Sequence, residues 1–410
     1  MSDPRSDAIA AFYDRHPYPP PVDDLAGHVA PAAEHVDRFA HHRIWPSRRP
    51  ESVRSVLVAG CGTSQAARIA LREPGREVVG IDVSATSIEH TRRLVERHAI
   101  SNLTVERRPI EEAGALGRTF DHVVCTGVLH HLADPDAGLA ALASVLAPGG
   151  ALSLMVYAPH GRLGVDLIQE YCRIVGVTTE PDDIADLVAA LRELPPGHPL
   201  SRLLRETRDF HDDDALADAL LNPRDRSYSV DELFDLLDGA GLRFGRWLRQ
   251  APYLADCGSI SETPHRDRML ALPLQRQFAA MEAYRGTIAR HSVIARRTVD
   301  SSDTGDLDGD DLLAADLATA VPIVAPSAVT VTDDERLPVG TAAALLDRGQ
   351  SSRDLVMFVD RGQLAEFRAI DGERTVTDLG IDPDLIRRLV RHDLVVLDTS
   401  GAPGSDSAVS

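Results

Sequence analysis

The sequence contains no lysine: all 43 basic side chains are arginine. That excludes lysine Schiff-base chemistry and the phosphate-binding lysine of a P-loop. Cysteine is scarce. Cys61, Cys125, Cys172 and Cys257 lie far apart with no CxxC pair. Neither a zinc cluster nor a disulfide framework is indicated, and reduced, buried thiols are expected. No apolar run reaches the roughly 18 residues that a membrane-spanning helix needs. The first residues, MSDPRSDAIAAFYDRH, are charged and lack the apolar core of a signal peptide. The expectation is a cytoplasmic protein without membrane contact. Positive charge is also short, because the formal net charge is −20. Nucleic-acid phosphates are repelled by such a surface, which disfavours a nucleic-acid partner, tRNA included.

What is present is enough for two or three domains: 410 residues, 43% of them hydrophobic. Residues 1–50 read as an N-terminal arm. FYDRHPYPPPVDD, residues 12–24, is too rich in proline for a helix, whereas residues 35–45 suit one. From residue 54 short apolar segments recur between turn signals, and five read as strands: 54–60, 77–83, 103–109, 120–127 and 151–158. Helical stretches separate most of them. Ser84 is a candidate N-cap. Asp134, Pro135 and Gly149 bracket another helix. Strands alternating with helices predict an α/β fold whose mostly parallel sheet carries helices on both faces.

The alternation stops after residue 158 and resumes at residue 227. There Ser229 and Glu232 form a capping-box pattern, and Gly239 or Gly241 ends the helix. Strands near 242–248 and 291–298 follow. One domain is therefore expected over 51–298, with helical insertions at about 160–226 and 255–289. An acidic linker is expected over 299–335. The EF-hand spacing fails in it, so no metal is expected. A small module follows at 336–398, then a disordered tail at 399–410.

The segment LVAGCGTSQAARIA, residues 57–70, reads as strand, glycine turn and helix. Gly60 and Gly62 match a dinucleotide fingerprint, but Gln65 stands where its third glycine belongs. The glycines let backbone approach a pyrophosphate at a helix N-terminus. A cofactor without phosphate needs less of this, and S-adenosylmethionine is such a cofactor. Asp82 ends the second strand about twenty residues on, where a carboxylate can accept from both ribose hydroxyls. The alternative, a helix cap, is already supplied by Ser84. A nicotinamide oxidoreductase keeps Asp82 but requires contact with the pyrophosphate.

Four segments in order, VLVAGCGTS, VVGIDVS, FDHVVCTGVLHHLADP and LAPGGALSL, give the chain its resemblance to the class I S-adenosylmethionine-dependent methyltransferases. The resemblance covers about residues 54–158 and, more loosely, 227–298. It implies a Rossmann-like sheet of seven strands with a reversed last strand, which HSVIARRT supplies. It also implies that Gly60, Cys61 and Gly62 line the methionine moiety, that Asp82 binds ribose and that Val83 packs on adenine. Ile110 and Glu111 then flank the adenine, although PIEE departs from the usual small residue and Asp. Thr126 and Gly127 sit beside the cofactor.

Methyl transfer is an in-line displacement, so the protein aligns a nucleophile and excludes water. His130 and His131 fall next to the expected methyl, where one can act as base for a hydroxyl or amine. Alternatively, His131 packs under the next helix while His130 touches the cofactor. Tyr13, His16 and Tyr18 are candidates for a lid, or for a rigid surface arm. Arg162, Gln169, Glu170 and Tyr171 are candidates for acceptor contacts. Leu163, Leu167 and Tyr171 share one helical stripe, which favours core over pocket.

The C-terminal module reads as α+β and winged-helix-like. It suits peptide recognition or a homodimer surface, and Arg387, Arg388 and Arg391 make a local basic cluster. The reading is a methyltransferase acting on an O, N or C nucleophile of a small molecule or a peptide-borne group, with natural-product tailoring as one setting. Its rivals are a protein or tRNA methyltransferase and a noncatalytic regulatory protein that binds S-adenosylmethionine.

Overall fold

The computed structural model describes residues 4–27, 34–206, 212–298, 317–332, 337–350 and 352–401. Residues 299–316, most of the acidic part of the expected linker, and tail residues 402–410 lie outside them. Seven strands form one sheet: β1 Ser55–Ala59, β2 Glu77–Asp82, β3 Leu103–Arg107, β4 Phe120–Thr126, β5 Leu146–Tyr157, β6 Leu242–Trp247 and β7 Arg290–Arg297. Their order is β3-β2-β1-β4-β5-β7-β6. The pairs β1–β2, β1–β4, β2–β3 and β4–β5 are parallel, and β6–β7 is antiparallel. Order reverses outward from β1, so β1 and β4 carry the switch point at which α/β sheets take ligands beyond their carboxyl ends.

The chain divides into two compact units. The first comprises Met1–Ala30, Arg54–Gly241 and Gly286–His291. Its helices are α1 Pro4–Arg15, α3 Gln65–Arg72, α4 Ala85–Arg97, α5 Pro135–Ser144, α6 Pro159–Val175, α7 Pro181–Arg192, α8 Leu200–Glu206, α9 Asp213–Leu221 and α10 Val230–Gly239. Several start where the sequence offers a cap. Ser84 accepts from the Ser87 amide, Asp134 from the Ala137 amide, and Ser229 with Glu232 closes the capping box. A core of Val56, Val58, Val78, Ile88 and Leu94 joins β1 and β2 to α4.

Two boundaries differ from the sequence reading. α1 takes in Phe12 to Arg15, because the prolines that forbid a helix begin only at Pro17. α5 stops at Ser144, and Gly149, at φ +65°, lies inside β5 instead of closing the helix. The insertion folds as α6 to α9 around Val165, Ile168, Cys172, Leu187 and Leu216, and Phe12 of α1 joins that core.

The second unit comprises Pro31–Val53, Leu242–Arg285 and Ser292–Ser410. The second half of the expected arm, with α2 Glu34–Ile44, thus groups here, as do α11 His265–Leu270 and α12 Leu274–Arg285. The expected linker gives way to structure at Leu317. Strand β8 Val321–Val324 pairs with β12 Val395–Asp398, and β9 Ala328–Val331, β10 Ala343–Asp347 and β11 Met357–Val359 form a second small sheet. Phe39 of α2 packs with Ile323 and Val396. Helices α13 Arg361–Ala369, α14 Val376–Leu379 and α15 Pro383–Arg391 cover the module core. α15 has Asp382 as its cap and buries Leu385, Ile386, Leu389 and Val390 on one stripe.

Among the described residues no helix is long and apolar enough to cross a membrane. In the basic cluster on α15, Arg387 pairs with Asp384 and Arg391 with Asp256, while Arg388 donates to the Phe358 carbonyl.

Candidate functional site

The site is built at the carboxyl ends of β1, β2 and β4. After β1 the chain turns through Gly60 at φ +70° and Gly62 at φ +54°, a region that suits glycine. The amides of Gly60 and Cys61 both donate to the Ile81 carbonyl, at 2.8 and 3.0 Å. This draws the turn onto the end of β2. A Cβ on Gly60 would lie 2.3 Å from Val128 Cγ2, and one on Gly62 would lie 2.6 Å from the Tyr18 carbonyl oxygen. Glycine is therefore required here for both conformation and space. Gln65 begins α3, so the place of the third glycine is taken by an ordinary helical residue.

Asp82 closes β2. Its Oδ2 accepts from the Gly62 amide at 2.8 Å and its Oδ1 from the Ser84 amide at 2.9 Å. Burial raises its pKa, and the amides of Ser84, Gly62 and Val83 work against that rise. Cys61 is fully buried. Burial pushes its thiol up, with the charge of Asp82 adding to this, so it is a wall of the turn and not a nucleophile. Val83 is half-buried and its carbonyl accepts from Arg107. Ile110 is buried, whereas Glu111 next to it is exposed. Thr126 ends β4 and Gly127 follows at φ +78°; among the described residues a Cβ on Gly127 would touch only Met155 Cε, at 3.5 Å. Positive-φ glycines beside a buried carboxylate suit the amino-acid and ribose ends of S-adenosylmethionine. A helix starting at Gln65 lacks the glycine that brings a pyrophosphate close.

The turn Leu129–His131 follows. His130 is completely buried, and neither ring nitrogen has a hydrogen-bond partner among the described residues. Its ring lies 3.8 Å from Tyr157 and 4.3 Å from His131. Burial pushes its pKa well below the ordinary imidazole value, and His131 and Arg162 lower it further. It is a neutral imidazole. His131 Nδ1 lies 2.6 Å from the Arg224 carbonyl oxygen. A carbonyl only accepts, so Nδ1 carries a proton, and Nε2, which has no partner among the described residues, is the lone-pair atom of the neutral ring.

Asp225 joins this turn from the insertion. Its Oδ2 accepts from Arg162 at 2.5 Å and from Gln169 at 2.8 Å, while its Oδ1 has no partner among the described residues. The Arg162 guanidinium lies 3.6 Å over the Tyr157 ring. Of the acceptor candidates on α6, Arg162 and Gln169 therefore reach the site and Glu170 is exposed.

Tyr171 is also exposed, at 44%, as are Leu163 and Leu167. Their stripe is therefore not core. Val165, Ile168 and Cys172, a different stripe of α6, are buried in its place, and Tyr171 lies at the surface.

The first arm segment is stitched over the loops. Asp14 accepts from the Ser84 hydroxyl at 2.8 Å and the Thr86 amide at 3.2 Å, and the Thr63 hydroxyl donates to the Pro19 carbonyl at 2.7 Å. Tyr13 donates to Asp218 at 2.8 Å, accepts from Asn222 at 3.2 Å, and places its ring 6.1 Å from His131. Burial and the charge of Asp218 hold its phenol protonated. His16 is buried and pairs with Asp214 at 2.9 Å. Tyr18 offers its carbonyl to the face of Gly62.

Tyr157, Asp218, Asn222, Arg224 and Asp225 escaped the sequence reading. Only Tyr157, at the end of a strand, carried a local signal.

A family profile described as a methyltransferase domain matches residues 57–152. The uncharacterized protein syc1184_c of Synechococcus sp. is 30% identical over 295 residues, 69% of each chain. The tRNA 5-carboxymethoxyuridine methyltransferase of Escherichia coli is 36% identical over 123 residues, which are 30% of this chain and 46% of that enzyme. This chain thus spans under half of that relative. Among solved structures, PKMT2 from Rickettsia typhi in complex with AdoHcy shares the fold, with a TM-score of 0.59 at 14% identity over 92% of this chain and 75% of that one. The glycine turn, the acid closing β2, the sheet order and these likenesses agree: the chain belongs to the class I S-adenosylmethionine-dependent methyltransferases.

Proposed function

We propose that this methyltransferase acts on an O–H or N–H group of a small or peptide-borne acceptor. The observation that carries the reading is His130: fully buried, neutral, and without a partner at either ring nitrogen among the described residues. A buried imidazole without partners costs roughly 1–3 kcal/mol unless another group uses it. With His131 Nε2 and Asp225 Oδ1 it makes an electron-rich patch, which suits a group that arrives with a proton.

Bound S-adenosylmethionine supplies an electrophilic methyl whose bonding pair stays with sulfur. In this reading the backbone at Gly60, Cys61 and Gly62 runs beside the methionine moiety and Asp82 holds ribose. Val83 and Ile110 pack on the adenine with Glu111 at its rim, and Thr126 and Gly127 border the sulfonium. His130 takes the acceptor proton as the new bond to methyl forms. His131 stays in one tautomer through Arg224. Tyr13, His16 and Tyr18 belong to the lid that excludes water.

Asp82→Ala should weaken S-adenosylhomocysteine binding by roughly 1.5–3 kcal/mol, about ten- to 150-fold. Calorimetry reads this directly, and an unchanged affinity removes Asp82 from the cofactor site. Acceptor class is tested with methyl-labelled cofactor and cell extract separated by size. Label is expected in small molecules or short peptides.

The likeness to a tRNA enzyme favours a second reading. The net charge of −20 and the paired arginines of α15 oppose it. Label confined to the RNA fraction would establish that second reading.

A further inference from the structure

His130, His131 and Asp225 each offer one ligand atom, and these atoms all lie within 4.8 Å of one another. The cysteine spacing and the EF-hand test gave no hint of this group, because its third member comes from the insertion. We propose that the three side chains form a binding site for a first-row divalent metal ion, and that the metal inhibits methyl transfer. The inhibitory arm rests on the reading of His130 as proton acceptor; the binding arm does not.

The donor set is two imidazoles and one carboxylate, which suits zinc, cobalt, nickel or iron in the divalent state and not magnesium or calcium. Geometry presents each donor. His130 is buried, with neither ring nitrogen partnered among the described residues. His131 donates Nδ1–H to the Arg224 carbonyl and so points Nε2 away from it. A metal-binding imidazole is oriented by such a backbone carbonyl in many sites. Asp225 has its Oδ2 fixed by Arg162 and Gln169, which leaves Oδ1 as the donor without a partner among the described residues. His130 and His131 are at least 98% buried, so the two imidazoles are shielded from competing water.

Arg162 sets the limit on affinity. Its guanidinium already balances Asp225, so a dication adds charge beside a cation. That favours a reversible site over a permanently filled one. It also fixes the consequence for catalysis. A lone pair that binds metal cannot accept the acceptor proton, so metal occupancy and proton removal exclude each other.

The test uses the full-length protein and its His130→Gln and Asp225→Asn variants, each checked by thermal melting. Zinc titration by calorimetry and the visible spectrum of added cobalt report binding without reference to activity. One equivalent is expected for the wild type, with affinity at least tenfold weaker in both variants. Absence of saturable binding, or equal affinity in both folded variants, overturns the site. In the activity arm, zinc should abolish methyl transfer in the wild type and EDTA should restore it. Binding that leaves the rate unchanged or raises it overturns the inhibitory role. Loss of the proton-acceptor reading shows separately, as full activity of metal-free His130→Gln.

Discussion

Methyl transfer by His130→Gln should fall by about two to four orders of magnitude, the usual worth of a positioned acid or base, while S-adenosylhomocysteine binds as it does to the wild type. Glutamine keeps a polar side chain in the enclosure but cannot take a proton. The loss therefore belongs in the rate of transfer and not in cofactor affinity. Single-turnover measurement at saturating cofactor separates the two. The wild-type pH profile gives a second reading. His130 works in its neutral form, and its pKa lies below the ordinary value because it is buried and faces His131 and Arg162. Activity should persist on acidification past the ordinary imidazole pKa of about 6.5 before it falls.

Stability carries the same signature with a defined sign. Below about pH 6.5 the unfolded chain protonates this imidazole and the folded chain refuses, so stability drops as pH falls. His130→Gln should remove that part of the acid sensitivity. A variant with wild-type turnover and an unaltered profile would take the proton-accepting role away from His130.

The parts of this site written in local sequence were readable; the parts assembled by packing were not. Gly60, Gly62 and Asp82 announce themselves because a turn that needs positive φ and an acid closing a strand are local features. The caps Ser84, Asp134 and Ser229 are read the same way, since each bonds an amide within three residues. Asp225 and Asp218 had no such signal. They reach His131 and Tyr13 only because α6 and α9 pack around Val165, Ile168 and Leu216. Periodicity gave the stripes of α6 but not which of them faces inward. The Leu163, Leu167 and Tyr171 stripe lies outside, and the one bearing Val165, Ile168 and Cys172 lies inside. Strand β8 was taken for linker because its partner β12 lies near the far end of the chain, and no local pattern records such a pairing.

The packing of α6 makes the strongest prediction about stability. A Cβ on Gly164 would lie 2.2 Å from the Leu200 amide nitrogen, 2.5 Å from its Cα and 2.5 Å from the Pro199 carbonyl carbon. These are backbone atoms at the start of α8, so no side-chain rotation relieves the clash, and the two helices must separate. Overpacking that moves only side chains costs about 1–3 kcal/mol. Gly164→Ala should cost roughly 3 kcal/mol or more and lower the melting temperature by about 6 °C or more. Activity should suffer beyond the fraction unfolded, because α6 carries Arg162 and Gln169, the two residues that hold Asp225. Gly239→Ala is the control: nothing lies within 4 Å of its Cβ at the last residue of α10, and the substitution should be neutral or slightly stabilising. Equal melting of Gly164→Ala and the wild type would mean that α6 does not press against α8 as closely as these distances require.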